Sequence, residues 1–161
     1  MNRTLIAILI LGGSCVASAQ NVTPAMKSST DVAIVVNDKN SATEISSSEL
    51  ISMLMGDRRF WTGKAPVQLV LRQPGNREFD LPISRLLKMS AAEYRQSWKT
   101  KVFRGEASSE PTYVPSSGMA AQFSRDLPGA LTLVAAHDLP ADAKVLKLDG
   151  KLPGEVGYPL R

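Results

Sequence analysis

The sequence predicts an α/β domain with a mixed, mostly parallel sheet flanked by helices. Short apolar runs rich in β-branched residues recur along the chain, and such runs are typical of strands buried on both faces. Amphipathic segments lie between these runs, and two of them begin with the Ser-x-x-Glu pattern of a helix capping box. Strands and helices that alternate in this way favour helices packed against one central sheet.

The first 19 residues have the features of a cleavable secretory signal. Arg3 supplies the positive charge, residues 5–11 form an unbroken apolar run, and Ala17-Ser18-Ala19 is a small-residue cleavage site. The apolar run is too short to span a bilayer. We therefore predict cleavage after Ala19 and a periplasmic location, with no transmembrane segment left in the mature chain of 142 residues.

The cysteine and histidine content predicts neither a disulfide framework nor a metal site. Cys15 is the only cysteine and lies inside the signal, so the mature chain has no thiol, which suits an oxidising compartment. Lipidation of Cys15 is the weaker alternative, because residues 12–14 lack the large aliphatic residue expected three positions upstream. His137 is the only histidine and lies in a loop-like sequence, so we predict no metal and no cofactor.

Residues 20–30 predict a flexible leader, because they are rich in Ser, Thr and Asn and lack apolar periodicity. Order should begin near Asp31, and residues 31–161 have the length of one domain. The first strand is the apolar run Val32–Val36, which the polar pair Asn37-Asp38 ends.

A helix should begin at Ser46, whose capping box pairs it with Glu49. The apolar residues that follow share one helical face, and Gly56 supplies a left-handed stop. The connection after Gly56 carries Phe60-Trp61, whose aromatic bulk indicates a lid over the core.

The second strand, Val67–Leu71, leads into the polar turn at residues 72–77 and then into another helix. The start of that helix has two alternatives. Asn76 could cap it, but Pro82 would then lie inside the helix and remove a hydrogen bond. Asp80 as the cap would place Pro82 in the tolerated first turn.

The rest of the chain continues the alternation of helices and strands. The predicted elements are a helix from Ser90 to about Gly105, a loop or short edge strand over 105–115, a helix opened by Ser116-Ser117-Gly118, and strands at Ala130–Ala135 and Lys144–Leu148.

The order of these elements, together with several local sequences, resembles the phosphate-binding subunit of ABC transporters, a periplasmic solute-binding family with two α/β lobes. The match runs over roughly residues 31–160 and is to the later part of the family. It implies a three-layer, periplasmic-binding-protein-like lobe that binds a solute without catalysis. The sequences that carry the resemblance are Val35-Val36-Asn37, Ser48-Glu49-Leu50 leading to Met55-Gly56 and Trp61, Val70–Glu78, Trp98 and Pro128–Leu131.

Two departures from the family matter. Full-length members begin with a whole lobe that carries a Gly-rich phosphate loop, and we expect nothing before Asp31 to supply it, so the chain resembles a short form. In the turn, the family's Asp-Gly-Ser-Gly is replaced by Pro74-Gly75-Asn76-Arg77. The carboxylate acceptor and the serine donor that the family uses on a protonated phosphate are therefore missing.

The residues of this turn still predict an anion site. Arg72 and Arg77 bring positive charge, Asn76 brings an amide donor, and the following helix presents backbone N–H groups. Phosphate, sulfate or a carboxylate would fit. The alternative is a surface turn whose arginines are solvated or paired with Glu78 and Asp80.

A second helix start, at Ser116-Ser117-Gly118, could face the same cleft. A plain helix cap is the stronger alternative for these residues. The candidate ligand-binding residues are thus Arg72, Gly75, Asn76, Arg77, Ser116, Ser117 and Gly118.

These observations favour an extracytoplasmic, non-enzymatic module that binds phosphate or another small oxyanion. The alternative is an envelope protein-interaction or assembly component that keeps the lobe as a scaffold, with Met53, Met55, Phe60 or Trp61 open to a partner. An enzyme is disfavoured because no nucleophile elbow or paired base is visible. The mature net charge of +3 is too weak, and its basic residues too dispersed, to indicate nucleic-acid binding.

Overall fold

The computed structural model describes residues 22–161, and a six-stranded sheet runs through their centre. The predicted signal at residues 1–19 and its cleavage site lie outside the described residues. The strands are β1 (Val32–Val36), β2 (Glu44–Ile45), β3 (Gln68–Arg72), β4 (Thr112–Val114), β5 (Ala130–Ala135) and β6 (Lys144–Leu148). The helices are α1 (Pro24–Lys27), α2 (Ser47–Leu54), α3 (Arg77–Pro82), α4 (Ala91–Phe103) and α5 (Ser117–Asp126), with a π-helical segment at Ile83–Leu87 and a 3₁₀ turn at Ala136–Asp138.

The strand order is β2-β6-β1-β5-β3-β4. Strand β1 is antiparallel to both of its neighbours, β5 and β6. The other three pairings, β2 with β6, β3 with β4 and β3 with β5, are parallel. The predicted mixed, mostly parallel sheet is therefore confirmed.

Helices cover both faces of the sheet, which gives three layers. Along β1 the buried side chains alternate: Val32 and Ile34 join the core on the side of α2, α3 and α4, whereas Ala33 and Val35 face the side of α1 and α5. Both faces are apolar because helices cover both. Within residues 22–161, every helix is too short or too polar to cross a bilayer.

Both predicted capping boxes are present. The Ser46 hydroxyl accepts from the Glu49 amide at 3.2 Å, and the Glu49 carboxylate accepts from the Ser46 amide at 3.1 Å. Ser90 and Glu93 make the same pair of bonds at the start of α4. These reciprocal bonds satisfy amides that have no partner inside the helix.

The described part of the predicted flexible leader is structured, which corrects the expectation that order begins near Asp31. Residues 24–27 form α1, capped by the Thr23 hydroxyl. Met26 in this helix is only 1% exposed, and it packs into the core beneath the sheet. A single buried apolar residue in a polar segment has no periodicity, so the sequence pattern did not reveal it.

The helix after the turn begins at Arg77, with Asn76 in the cap position but without a side-chain cap bond. The alternative start at Asp80 is therefore wrong. Pro82 has no N–H to donate within the helix, and directly after it the helix widens into the π-helical segment, which closes at a left-handed Lys88.

Candidate functional site

The predicted anion site lies where two parallel strands end. In the β3–β4 pair, Arg72 is opposite Val114, and the Gln73 amide donates to the Val114 carbonyl at 3.2 Å. The turn after β3 and the start of α5 after β4 therefore lie side by side. Ligands of open α/β sheets bind at this carboxyl edge of the strands.

Arg72 connects these two segments. Its Nη1 donates to the Ser117 hydroxyl at 3.0 Å, and its Nη2 donates to the Asn76 side-chain oxygen at 2.8 Å. Ser117 is 7% exposed, so this contact is largely shielded from water. The structure thus brings together three of the predicted residues, two of which are 45 positions apart in the chain.

The guanidinium of Arg72 keeps unused hydrogen-bonding capacity. Its Nε is buried and has no hydrogen-bond partner within the described part of the chain. Among residues 22–161, neither Arg72 nor Arg77 has a carboxylate oxygen within 4.0 Å. The alternative in which Glu78 and Asp80 neutralise these arginines is therefore wrong, and no carboxylate of the described chain serves as a counterion for Arg72.

Arg77 and Gly75 do not converge with Arg72. The Arg77 Nε donates to the Thr30 carbonyl at 3.2 Å, which holds this exposed side chain against the residue before Asp31. The Gly75 amide donates to the Asp80 carboxylate at 3.2 Å. Gly75 has φ +90°, which explains why glycine occupies this turn position.

Asn76 positions Arg72 and uses one of its two amide N–H groups within the turn. Its Nδ2 donates to the Gln73 carbonyl at 2.8 Å, while its Oδ1 accepts from Arg72. Both ends of the amide are engaged within the turn. The sequence showed the residue type but could not show this orientation.

The two serines at the start of α5 have different roles. The Ser116 hydroxyl accepts from the Met119 amide at 3.1 Å and caps the helix, as the plain-cap alternative predicted. Ser117 contacts Arg72 instead. The first intrahelical bond runs from the Ala120 amide to the Ser116 carbonyl at 3.1 Å, so the amides of Ser117 and Gly118 have no partner inside the helix.

The aromatic and methionine residues suggested as an open wall are mostly core. Met53 and Trp61 are buried, and the Trp61 indole donates to the Gly129 carbonyl at 3.0 Å. Met55 is partly buried against the same core. Phe60 is 57% exposed and lines an open groove of about 770 Å³ near the amino-terminal end of β3, away from Arg72.

The described residues show no arrangement that would hold a metal ion. No three His, Cys, Asp or Glu side chains among residues 22–161 are placed for this. His137 lies in the 3₁₀ turn with its side chain exposed, 3.5 Å from Asp138. This position agrees with the surface loop predicted for it.

No protein-family model and no curated protein matches this sequence, but several solved structures share its fold. A protein described as a phosphate ABC transporter substrate-binding protein with bound phosphate, from Clostridium perfringens, aligns with a TM-score of 0.62 and 14% identity, over 76% of this chain and 46% of that chain. PstS from Borrelia burgdorferi aligns with a TM-score of 0.60 and 14% identity, over 76% of this chain and 49% of that chain. A phosphate-binding protein from Stenotrophomonas maltophilia aligns with a TM-score of 0.58 and 19% identity, over 80% of this chain and 42% of that chain.

The fold is therefore that of phosphate-binding receptors of ABC transporters, as the sequence resemblance predicted. The chain spans less than half the length of these three structures. Where their descriptions state a role, it is the binding of phosphate or of a transporter's substrate.

Proposed function

We propose that the mature chain is an extracytoplasmic, non-enzymatic solute-binding module that binds phosphate or another small oxyanion at Arg72. One observation carries this proposal: Arg72 is partly buried and held by two side chains, yet among residues 22–161 it has no counterion and its buried Nε has no hydrogen-bond partner. A charge taken out of water without a counterion costs free energy. A bound oxyanion would offset that cost through charge-assisted hydrogen bonds.

The position of Arg72 supports the same conclusion. It lies at the carboxyl edge of β3 and β4, next to the start of the ten-residue helix α5. The amides at the start of a helix and its dipole favour negative charge. The structural relatives with bound or transported phosphate share this fold, which makes a small oxyanion the natural ligand class.

Each predicted site residue then has a distinct proposed part. Arg72 contacts the anion, and Ser117 can donate its hydroxyl proton because its oxygen already accepts from Arg72. The amides of Ser117 and Gly118 complete the donor set. Asn76 holds Arg72, Ser116 caps the helix, and Gly75 and Arg77 shape the rim of the turn.

Calorimetric titration at low salt tests this function. Phosphate, sulfate and acetate are titrated into the wild-type mature chain, Arg72→Gln and Arg104→Gln. We expect heat with at least one anion, its loss in Arg72→Gln, and no change in Arg104→Gln, because Arg104 is an exposed arginine at the end of α4. No heat with any anion, or equal heat from the wild type and Arg72→Gln, would reject the proposal.

The periplasmic location is part of the proposal and has its own test. We expect the chain in periplasmic extract to begin at Gln20, as shown by intact mass and N-terminal sequencing, because the small-residue site ends at Ala19. Recovery of the uncleaved chain from the cytoplasmic fraction alone would contradict this location.

The exposed Phe60 favours a second candidate function, an envelope protein-interaction component. A large aromatic side chain beside an open groove is typical of a protein contact. The test compares Phe60→Ala with Phe103→Ala, which removes another exposed phenylalanine (93%) that does not line the groove. A single envelope partner kept by Phe103→Ala and lost by Phe60→Ala would support this function, whereas equal recovery with both variants would exclude it.

A further inference from the structure

One exposed stripe of helix α4 carries both positive charge and an aromatic side chain. Arg95, Lys99 and Phe103 follow one another at intervals of four residues, so they lie along the same side of the helix. Tyr94 and Trp98, each one position before a member of this stripe, are buried in the core. All three residues of the stripe are exposed, and Phe103 at its carboxyl end is 93% exposed.

The two cations of this stripe are not neutralised by the described part of the chain. Among residues 22–161, no carboxylate oxygen lies within 4.0 Å of Arg95 or Lys99. The acidic residue of α4, Glu93, is engaged at the start of the helix, where its carboxylate accepts from the Ser90 amide at 2.7 Å. The outward charge of the stripe is therefore positive.

The carboxyl end of the stripe places a further cation beside the exposed ring. Arg104 follows Phe103, is 66% exposed, and lies 4.0 Å from Glu106, so this exposed ion pair is weak. A phenyl ring that is almost wholly in water gains free energy when it enters an apolar phase. Cations around such a ring favour an apolar phase with a negative surface. A bilayer that contains anionic phospholipids has both properties.

A bilayer fits this surface better than a folded protein does. The stripe lies on the convex outer side of a helix, and Phe103 is the one large apolar side chain of α4 that is exposed. A protein partner would need a matching cavity and a larger apolar contact area, whereas lipid headgroups rearrange around a protruding side chain. We propose that this face of α4 contacts an anionic bilayer, with the Phe103 ring at headgroup level and Arg95 and Lys99 beside lipid phosphates. The contact does not use Arg72.

Cosedimentation of the mature chain with lipid vesicles tests this proposal. At low salt we expect binding to vesicles of equal parts phosphatidylglycerol and phosphatidylcholine, and much weaker binding to vesicles of phosphatidylcholine alone. Phe103→Ala should lower the partition coefficient about tenfold, and Lys99→Gln should lower it about fivefold. Two matched controls should bind like the wild type. Phe60→Ala removes another exposed ring, and Lys27→Gln removes an exposed cation of α1, on the other side of the sheet.

Thermal melts of the same samples confirm that the surface variants fold. Equal binding to both kinds of vesicle, or no loss in Phe103→Ala, would overturn the proposal. Equal losses in Lys99→Gln and Lys27→Gln would reduce it to a general effect of net charge. Vesicle binding lost in Arg72→Gln and kept in Phe103→Ala would place the lipid phosphate at the anion site instead. Capture of an acidic protein through Phe103, without vesicle binding, would replace the bilayer with a protein partner.

Discussion

The contact between α2 and α4 and the cluster around Arg72 differ in whether their buried polar groups have hydrogen-bond partners. At the helix contact, the Leu54 carbonyl accepts from the Tyr94 hydroxyl at 2.7 Å and from the Trp98 indole at 3.1 Å, and both bonds are buried. Gly56 lies so close to Trp98 that an added Cβ would be 2.5 Å from its ring. At Arg72, by contrast, a buried donor has no hydrogen-bond partner and a positive charge has no counterion in the part of the chain that the structure describes.

This difference separates a structural site from a candidate binding site. Buried polar groups that are fully paired fix a packing arrangement, and such groups are the rule in folded proteins. A buried polar group without a hydrogen-bond partner costs stability. Such a group is therefore expected where a bound ligand supplies the missing partner. Substitutions at the helix contact should therefore change stability, and substitutions around Arg72 should change anion affinity.

The largest expected effect is on stability at Gly56. Gly56→Ala should lower the free energy of unfolding by about 3 kcal/mol, because it combines a left-handed backbone at φ +73° with a clash against Trp98. Gly105→Ala is the matched control, since Gly105 has φ +72° but an added Cβ would meet no described atom within 4 Å. That control should lose only about 1 kcal/mol. If urea unfolding gave the same decrease in unfolding free energy for both variants, the contact between Gly56 and Trp98 would not be tight.

The next effect is on anion affinity, at the two serines that open α5. Ser117→Ala removes the acceptor of the Arg72 Nη1, so sulfate affinity should fall about tenfold in calorimetry. Ser116→Ala removes the helix cap, so it should cost about 1 kcal/mol of stability while affinity is kept. If both variants change affinity to the same extent, the division of roles between the serines is incorrect.

Tyr94→Phe should have a smaller effect, on stability alone. It removes one of the two donors to the Leu54 carbonyl but leaves the Trp98 bond, so about 1 kcal/mol of stability should be lost. Anion affinity should stay at the wild-type value. Chemical denaturation together with a sulfate titration of the same sample measures both quantities, and a fall in affinity would link the two regions.

The smallest effect concerns the pH dependence of stability through Glu49. The bond from the Ser46 amide, together with the contact to Arg58, holds the pKa of the Glu49 carboxyl below its usual value. A carboxyl with a lowered pKa stabilises the fold above its unfolded-state pKa, and this contribution is lost as pH falls through the folded-state pKa. Glu49 is partly exposed and screened, so the contribution is a few tenths of a kcal/mol.

The variant Glu49→Gln checks this pH dependence. The wild type should be slightly more stable than the variant at neutral pH, and the difference should disappear as the pH falls through the lowered pKa. Urea unfolding at a series of acidic pH values measures it. A difference that is the same at every pH would contradict a role for the ionised carboxylate.

The fold was predictable where its causes are local. The capping boxes at Ser46 and Ser90 act over four residues, and Gly56 ends its helix through its own backbone. The two-residue strand β2 was not predicted, because it exists only through its pairing with β6 about a hundred residues later. Helix α1 was missed for the same reason, because the packing of one buried methionine against distant residues holds it in place.

The candidate site was predictable by residue type but not by orientation. Charge and helix position identified Arg72, Asn76 and Ser117. The sequence could not show that Asn76 uses its amide inside the turn, or that Arg77 points to the Thr30 carbonyl 47 residues earlier. These orientations depend on contacts between distant segments, which periodicity and capping patterns do not describe.

The most direct test of the central claim is an NMR titration of the ¹⁵N-labelled mature chain with sulfate. If Arg72 is the anion site, the Arg72 Nε–H signal and the backbone amides of Ser117 and Gly118 should shift together in a saturable manner, while the amides of Phe60 and Gln68 in the distant groove stay unchanged. Shifts confined to Phe60 and Gln68, or an unchanged Arg72 Nε–H signal at saturating sulfate, would contradict the account.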